Sequence, residues 1–139
     1  MTPLALLADR RVPPPPQDPE PLPHLRTEGD WGFDLPLEVE LNGTVISRGN
    51  ARGLYWTMPQ QLAHATSNGA SIRTGDLMAS GTISGAERGS EGSLIELTWN
   101  GRDPIRLEDG SERTFLEDGD EVVLRGEPLG EVRGRIVSC

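Results

Sequence analysis

The chain has 139 residues, one domain's worth at about 100–200 residues per domain, with thirteen basic against twenty-two acidic residues and a net charge of −9. All thirteen cations are arginine, which excludes a Schiff base, a lysine general base or a P-loop lysine contributed by this chain. The acidity and the scatter of the arginines speak against nucleic acid, and one cysteine (Cys139) with two histidines (His24 and His64) excludes an intrachain disulfide and a Cys-rich zinc centre.

Residues 1–8 are too short and too poor in basic residues for a signal peptide, and no run of about 18 apolar residues offers a membrane span. A cytoplasmic protein without membrane or nucleic-acid partners is the expectation. Seven of the twelve residues 12–23 are proline, a composition that prefers polyproline II and cannot enter a sheet interior. Residues 1–25 therefore read as a proline-rich connector, and residues 26–139 as the folded portion.

From Phe33 the pattern turns to strand. Leu35, Leu37, Val39 and Leu41 alternate with Asp34, Glu38 and Glu40, Asn42-Gly43 predicts a tight hairpin turn, and Val45-Ile46 begins the return strand. Residues 53–66 are the one good helix candidate, with Leu54, Met58 and Leu62 at four-residue steps and Asn68-Gly69 as the stop. Pro59 conflicts with a helix interior, so the predicted helix starts with Pro59 in its first turn. Beyond Arg73 the reading is β: short strands at 77–79, 93–99, 105–107 and 121–125, separated by glycine- and aspartate-rich turns. The fold class is β-rich α+β with one main helix.

Three features stand out as candidate sites. Glu96 falls between Leu94 and Thr98 on the strand face opposite Ile95, Leu97 and Trp99, where a solvated strand carboxylate is the plain alternative. Gly81-Thr82-Ile83-Ser84-Gly85 has glycines at both ends that would let a ligand approach the backbone, and Thr82 adds a hydroxyl; an ordinary turn fits the same spacing. Gln60, Gln61 and His64 can share one helix face, as site residues or as structural ones. Asp118-Gly119-Asp120 is a weak metal signal in an isolated turn.

Tyr55-Trp56-Thr57-Met58, Gln60-Gln61-Leu62, His64 and Asn68-Gly69, followed by Arg73, Gly75-Asp76-Leu77, residues 79–85, Gly92-Ser93 and Glu96-Leu97, resemble the C-terminal third of the fumarylacetoacetase family. The resemblance extends to Gln17-Asp18-Pro19, Pro21-Leu22-Pro23, Phe115-Leu116 and residues 118–122. It implies a C-terminal portion of the family's mixed β-sandwich roll and hydrolysis of a carbon–carbon bond of 4-fumarylacetoacetate to fumarate and acetoacetate. It further implies that Thr82 holds a substrate carboxylate and that Glu96 is catalytic, orienting a histidine that activates water. The family's histidine, lysine and Mg²⁺- or Ca²⁺-binding carboxylates would lie upstream of Met1. The expectation is thus a chain that holds two site residues, binds no metal by itself, is inactive alone, and belongs to a homodimer when complete. Two alternatives stay open: a related acylpyruvate hydrolase or decarboxylase, and a noncatalytic β-domain.

Overall fold

A computed structural model describes residues 2–138; Met1 and Cys139, the one cysteine, lie outside the described residues. Among the described residues, eight strands form three antiparallel sheets. β1 (Arg11–Val12) pairs with β2 (Gly32–Phe33), so the chain on the N-terminal side of the prolines is tied to the folded portion by a ladder.

The central sheet is built from β3 (Pro36–Leu41), β4 (Thr44–Asn50), β7 (Glu121–Gly126) and β8 (Gly130–Arg135), in the order β4-β3-β7-β8. The predicted hairpin joins β3 to β4. Asn42 and Gly43 both take positive φ (48° and 84°), the backbone that a two-residue turn between right-twisted strands requires. Between Val39↔Ser47 and Glu40↔Val45 the register slips by one residue, leaving Ile46 unpaired as a bulge. β5 (Ile105–Arg106) and β6 (Glu112–Arg113) form a separate short hairpin.

One surface of the central sheet is laced with ion pairs. Arg125 on β7 reaches Glu38 and Glu40 on β3 and Glu131 on β8, and Arg48 on β4 pairs with Glu38 at 3.0 Å. β8 is exposed along its whole length and carries this pattern in Glu131, Arg133 and Arg135. The sequence reading passes over β8 and β6, because neither has an apolar stripe of its own; both exist by pairing with a neighbour.

The helix α1 (Met58–Thr66) starts where the proline argument places it, with Thr57 as N-cap and Pro59 in the first turn. Gln60 Oε1 accepts the Thr57 N–H at 3.0 Å and Thr57 Oγ1–H at 3.1 Å, closing the first turn. Gln60 is buried and also forms a reciprocal amide pair with Gln17: Gln60 Nε2 donates to Gln17 Oε1 at 2.8 Å, and Gln17 Nε2 donates to Gln60 Oε1 at 3.1 Å. Gln17 Nε2 also donates to the Tyr55 carbonyl at 2.7 Å.

Two strand expectations are corrected. Residues 77–79 are irregular, and Leu77 is 96% exposed, with no neighbouring strand to pair with among the described residues. Residues 93–99 form not a strand but the single helical turn α2 (Leu94–Leu97), followed by Trp99 and Asn100 in the left-handed region. The reason is local as well as tertiary. Leu97 N–H donates to the Ser93 carbonyl, and Thr98 donates to the Leu94 carbonyl through both its N–H (2.9 Å) and its Oγ1 (2.7 Å). Leu97 and Thr98 are buried by this turn, whereas Ile95 and Trp99, expected on a core-facing strand side, are exposed.

The principal core cluster is small: Leu7, Phe33, Leu35 and Ala51, with Trp31, Leu37, Leu54 and Ile83 packed against it. Leu7 enters it from a 3₁₀ turn, Leu4–Arg10. Ile83 enters from the centre of the glycine-bracketed segment.

Candidate functional site

Ile83 fixes that segment by packing its half-buried side chain against the core, and Thr82 and Ser84, on either side, are exposed. Beyond it the chain closes a loop in which Gly85 N–H donates to the Ser90 carbonyl at 2.8 Å. β4 secures the loop: Arg48 N–H donates to the Gly89 carbonyl (2.8 Å), and the buried Ser47 hydroxyl donates to the Glu91 carbonyl (2.6 Å).

Gly92 brings the pieces together. A Cβ there would lie 2.5 Å from the Ile83 carbonyl oxygen and 2.7 Å from Thr82 Cγ2, so no other residue fits without displacing backbone. With that clearance, Gly92 N–H donates to Ser84 Oγ at 3.1 Å. Ser84 Oγ in turn lies 2.8 Å from Glu96 Oε2 and 3.0 Å from Oε1, and Ser93 Oγ donates to Oε2 at 2.6 Å. Thr82 and Glu96, fourteen residues apart, thus share one patch through Gly92 and Ser84.

Glu96 is exposed, and its carboxyl is held below the usual carboxylate range by the Ser93 hydroxyl first and the Ser84 hydroxyl second. No arginine shares in this, so the patch carries a fixed anion stabilised by neutral donors. Ser84 and Ser93 are not singled out by sequence reasoning. The usable signal is the spacing Ser93-x-x-Glu96, a helix-start pattern that brings the two side chains close across one turn, although here the serine hydroxyl donates to the carboxylate and caps no backbone N–H.

The Gln60, Gln61 and His64 cluster lies elsewhere. These residues line a cavity of about 1090 Å³ between α1 and the proline-rich segment, with His24 on its wall, and neither Thr82 nor Glu96 borders it. Gln60 is occupied by the helix cap and Gln17, and Gln61 Nε2 donates to the Trp56 carbonyl at 2.9 Å. A second cavity, about 410 Å³ and mostly apolar, runs between the central sheet and α2, bordered by Val39, Ile46, Ser93, Leu94, Leu97 and Leu124.

Asp118-Gly119-Asp120 is not a cation-binding arrangement. Asp120 is buried, and its carboxylate accepts from Arg113 Nε (3.0 Å) and Nη2 (3.1 Å), Asn42 Nδ2 (2.7 Å) and Glu117 N–H (2.8 Å). These donors, Arg113 foremost, push its pKa down to about 2. Among the described residues there is no group of three or more His, Cys, Asp or Glu side chains that could hold a metal ion. The described residues therefore offer no such group for the Mg²⁺ or Ca²⁺ that the resemblance implies. No helix among them is long and apolar enough to cross a membrane.

Residues 7–137 match the family described as fumarylacetoacetate (FAA) hydrolase C-terminal. The fumarylacetoacetase of Mus musculus is 48% identical over 126 residues, covering 86% of this chain and 30% of the relative. That of Arabidopsis thaliana is 49% identical over 123 residues (84% and 29%), and that of Homo sapiens 45% over 137 (94% and 33%). The chain spans about a third of the length of these relatives and matches their C-terminal portion. On the extent of that match, the chain belongs to the fumarylacetoacetate hydrolase family, as its C-terminal part.

Proposed function

We propose that this chain forms the C-terminal part of a cytoplasmic, homodimeric fumarylacetoacetase that hydrolyses 4-fumarylacetoacetate to fumarate and acetoacetate, in tyrosine and phenylalanine breakdown. The observation that carries the reading is the exposed Glu96 carboxylate, fixed by Ser84 and Ser93 with no counter-charge, beside Thr82.

In this reading Glu96 accepts one ring N–H of a histidine supplied from outside this chain. That sets the tautomer, leaves the other ring nitrogen free to take a proton from water, and stabilises the imidazolium that results. The hydroxide so formed adds to the carbonyl of the fumaryl half. The carbon–carbon bond to the acetoacetate half then breaks, and that carbon receives, as it leaves, the proton that the imidazolium took from water, which restores the neutral histidine. Thr82 donates its hydroxyl hydrogen to a substrate carboxylate. The ligands of the divalent ion also belong outside this chain.

The test is a chimaera in which this chain replaces the matching C-terminal region of the Mus musculus relative. Production of fumarate and acetoacetate from 4-fumarylacetoacetate is the expected result. A folded chimaera that leaves this substrate intact, or that hydrolyses only simple acylpyruvates, would overturn the reading.

A further inference from the structure

The two serines converge on one atom of the site. Glu96 Oε2 lies 2.6 Å from Ser93 Oγ and 2.8 Å from Ser84 Oγ, whereas Oε1 has only the longer 3.0 Å approach of the same Ser84 hydroxyl. A serine hydroxyl has a single proton, so Ser84 cannot serve both oxygens fully. The Gly92 N–H occupies a lone pair of Ser84 Oγ, which directs that proton toward the carboxylate rather than away from it. Ser93 is fixed separately, at the N-cap of α2, three residues before the glutamate it binds.

We infer that Ser84 and Ser93 are positioning residues: together they occupy Oε2, fix the carboxylate plane, and leave Oε1 as the oxygen presented to the catalytic histidine. This rests on the hydrolase reading above and assigns that site two further residues. The arrangement keeps Glu96 anionic without an arginine, whose full charge would compete with the imidazolium for the same carboxylate. Gly92 belongs to the device, because its missing side chain admits the N–H that orients Ser84.

Two measurements test this on Ser84→Ala, Ser93→Ala and the double variant, with Ser93→Thr as the conservative control that keeps a hydroxyl. In the chain itself, carboxyl ¹³C NMR should show the Glu96 titration moving up in each alanine variant, furthest in the double, and staying near the parent in Ser93→Thr. In the chimaera, kcat should fall about tenfold for each alanine, the scale of one hydrogen bond to a charged group, with KM changed less than about threefold. The acid limb of the pH profile should move to higher pH, because Glu96 would then protonate sooner. A purely structural role would lower thermal stability without moving that limb. The proposal is overturned if the alanine variants leave the Glu96 titration in place. It is likewise overturned if the titration moves while kcat and the acid limb do not, in a chimaera that Glu96→Gln inactivates. An inactive parent chimaera would sink the hydrolase reading itself, and with it the catalytic meaning of the serines.

Discussion

Where the β3–β4 turn meets the start of β7, Asp120 is buried against Arg113; where α2 meets the 79–93 segment, Glu96 stands in solvent against two hydroxyls. Both carboxyls are pushed below their ordinary range, and both are held by several donors. They differ in what remains to be done. Asp120 has its charge cancelled and its oxygens shared among Arg113, Asn42 and Glu117, so nothing is left over for a ligand. Glu96 keeps a full negative charge and an oxygen that is largely free. A lowered pKa by itself separates neither case; the kind of donor and the exposure do.

The largest effect that would sharpen this contrast is on turnover. In the chimaera, Glu96→Gln should lower kcat by about 10³–10⁴-fold, since an amide keeps the shape but cannot stabilise an imidazolium. The urea midpoint of the same protein should stay put. A loss under twofold would make Glu96 an ordinary solvated residue.

Asp120→Asn should do the reverse. It leaves Arg113, 17% exposed, with only the exposed Glu117, 3.5 Å away, as a close counter-charge, and should cost about 3 kcal/mol in urea unfolding with kcat per folded molecule unchanged. The pH dependence follows from the sign of the shift. A folded pKa of about 2, below the ordinary 3.8, means that Asp120 stabilises fully above about pH 4 and loses that contribution as pH falls toward 2. The parent's urea midpoint should drop across that window, and the part of the drop due to Asp120 should vanish in Asp120→Asn. An identical profile in both would break the comparison.

Thr82→Val is the mildest of the three. Losing one hydrogen bond to a substrate carboxylate should raise KM about 10–100-fold, with kcat little altered. An equal fall in kcat and kcat/KM would instead place Thr82 in the transition state.

The legibility of these regions in sequence follows their physics. The β3–β4 hairpin and the start of α1 are specified locally, by alternation, by two residues tolerant of positive φ, and by proline's fitness for a first helical turn. Asp120 could not be assigned that way, because its partners Asn42 and Arg113 come from separate elements. Glu96 is singled out by the sequence, but on the wrong scaffold. Residues 93–99 alternate like a strand, yet Leu94 and Leu97 also recur at helical spacing, and the groove under the sheet takes them as a turn of helix. The catalytic role of Glu96 is implied by the resemblance; Ser93 has the Ser-x-x-Glu spacing to mark it, whereas Ser84 is brought to Glu96 only by the fold.

The amide pair between Gln17 and Gln60 carries no net charge, unlike the arginine–carboxylate lattice across the central sheet. At molar ionic strength the screening length shrinks to about 3 Å and exposed ion pairs of that lattice fade, while an amide–amide fastening is indifferent to salt. The proline-rich segment should therefore stay docked on α1 in brine that slackens the outer strand β8, so concentrated salt would loosen this molecule from one side only.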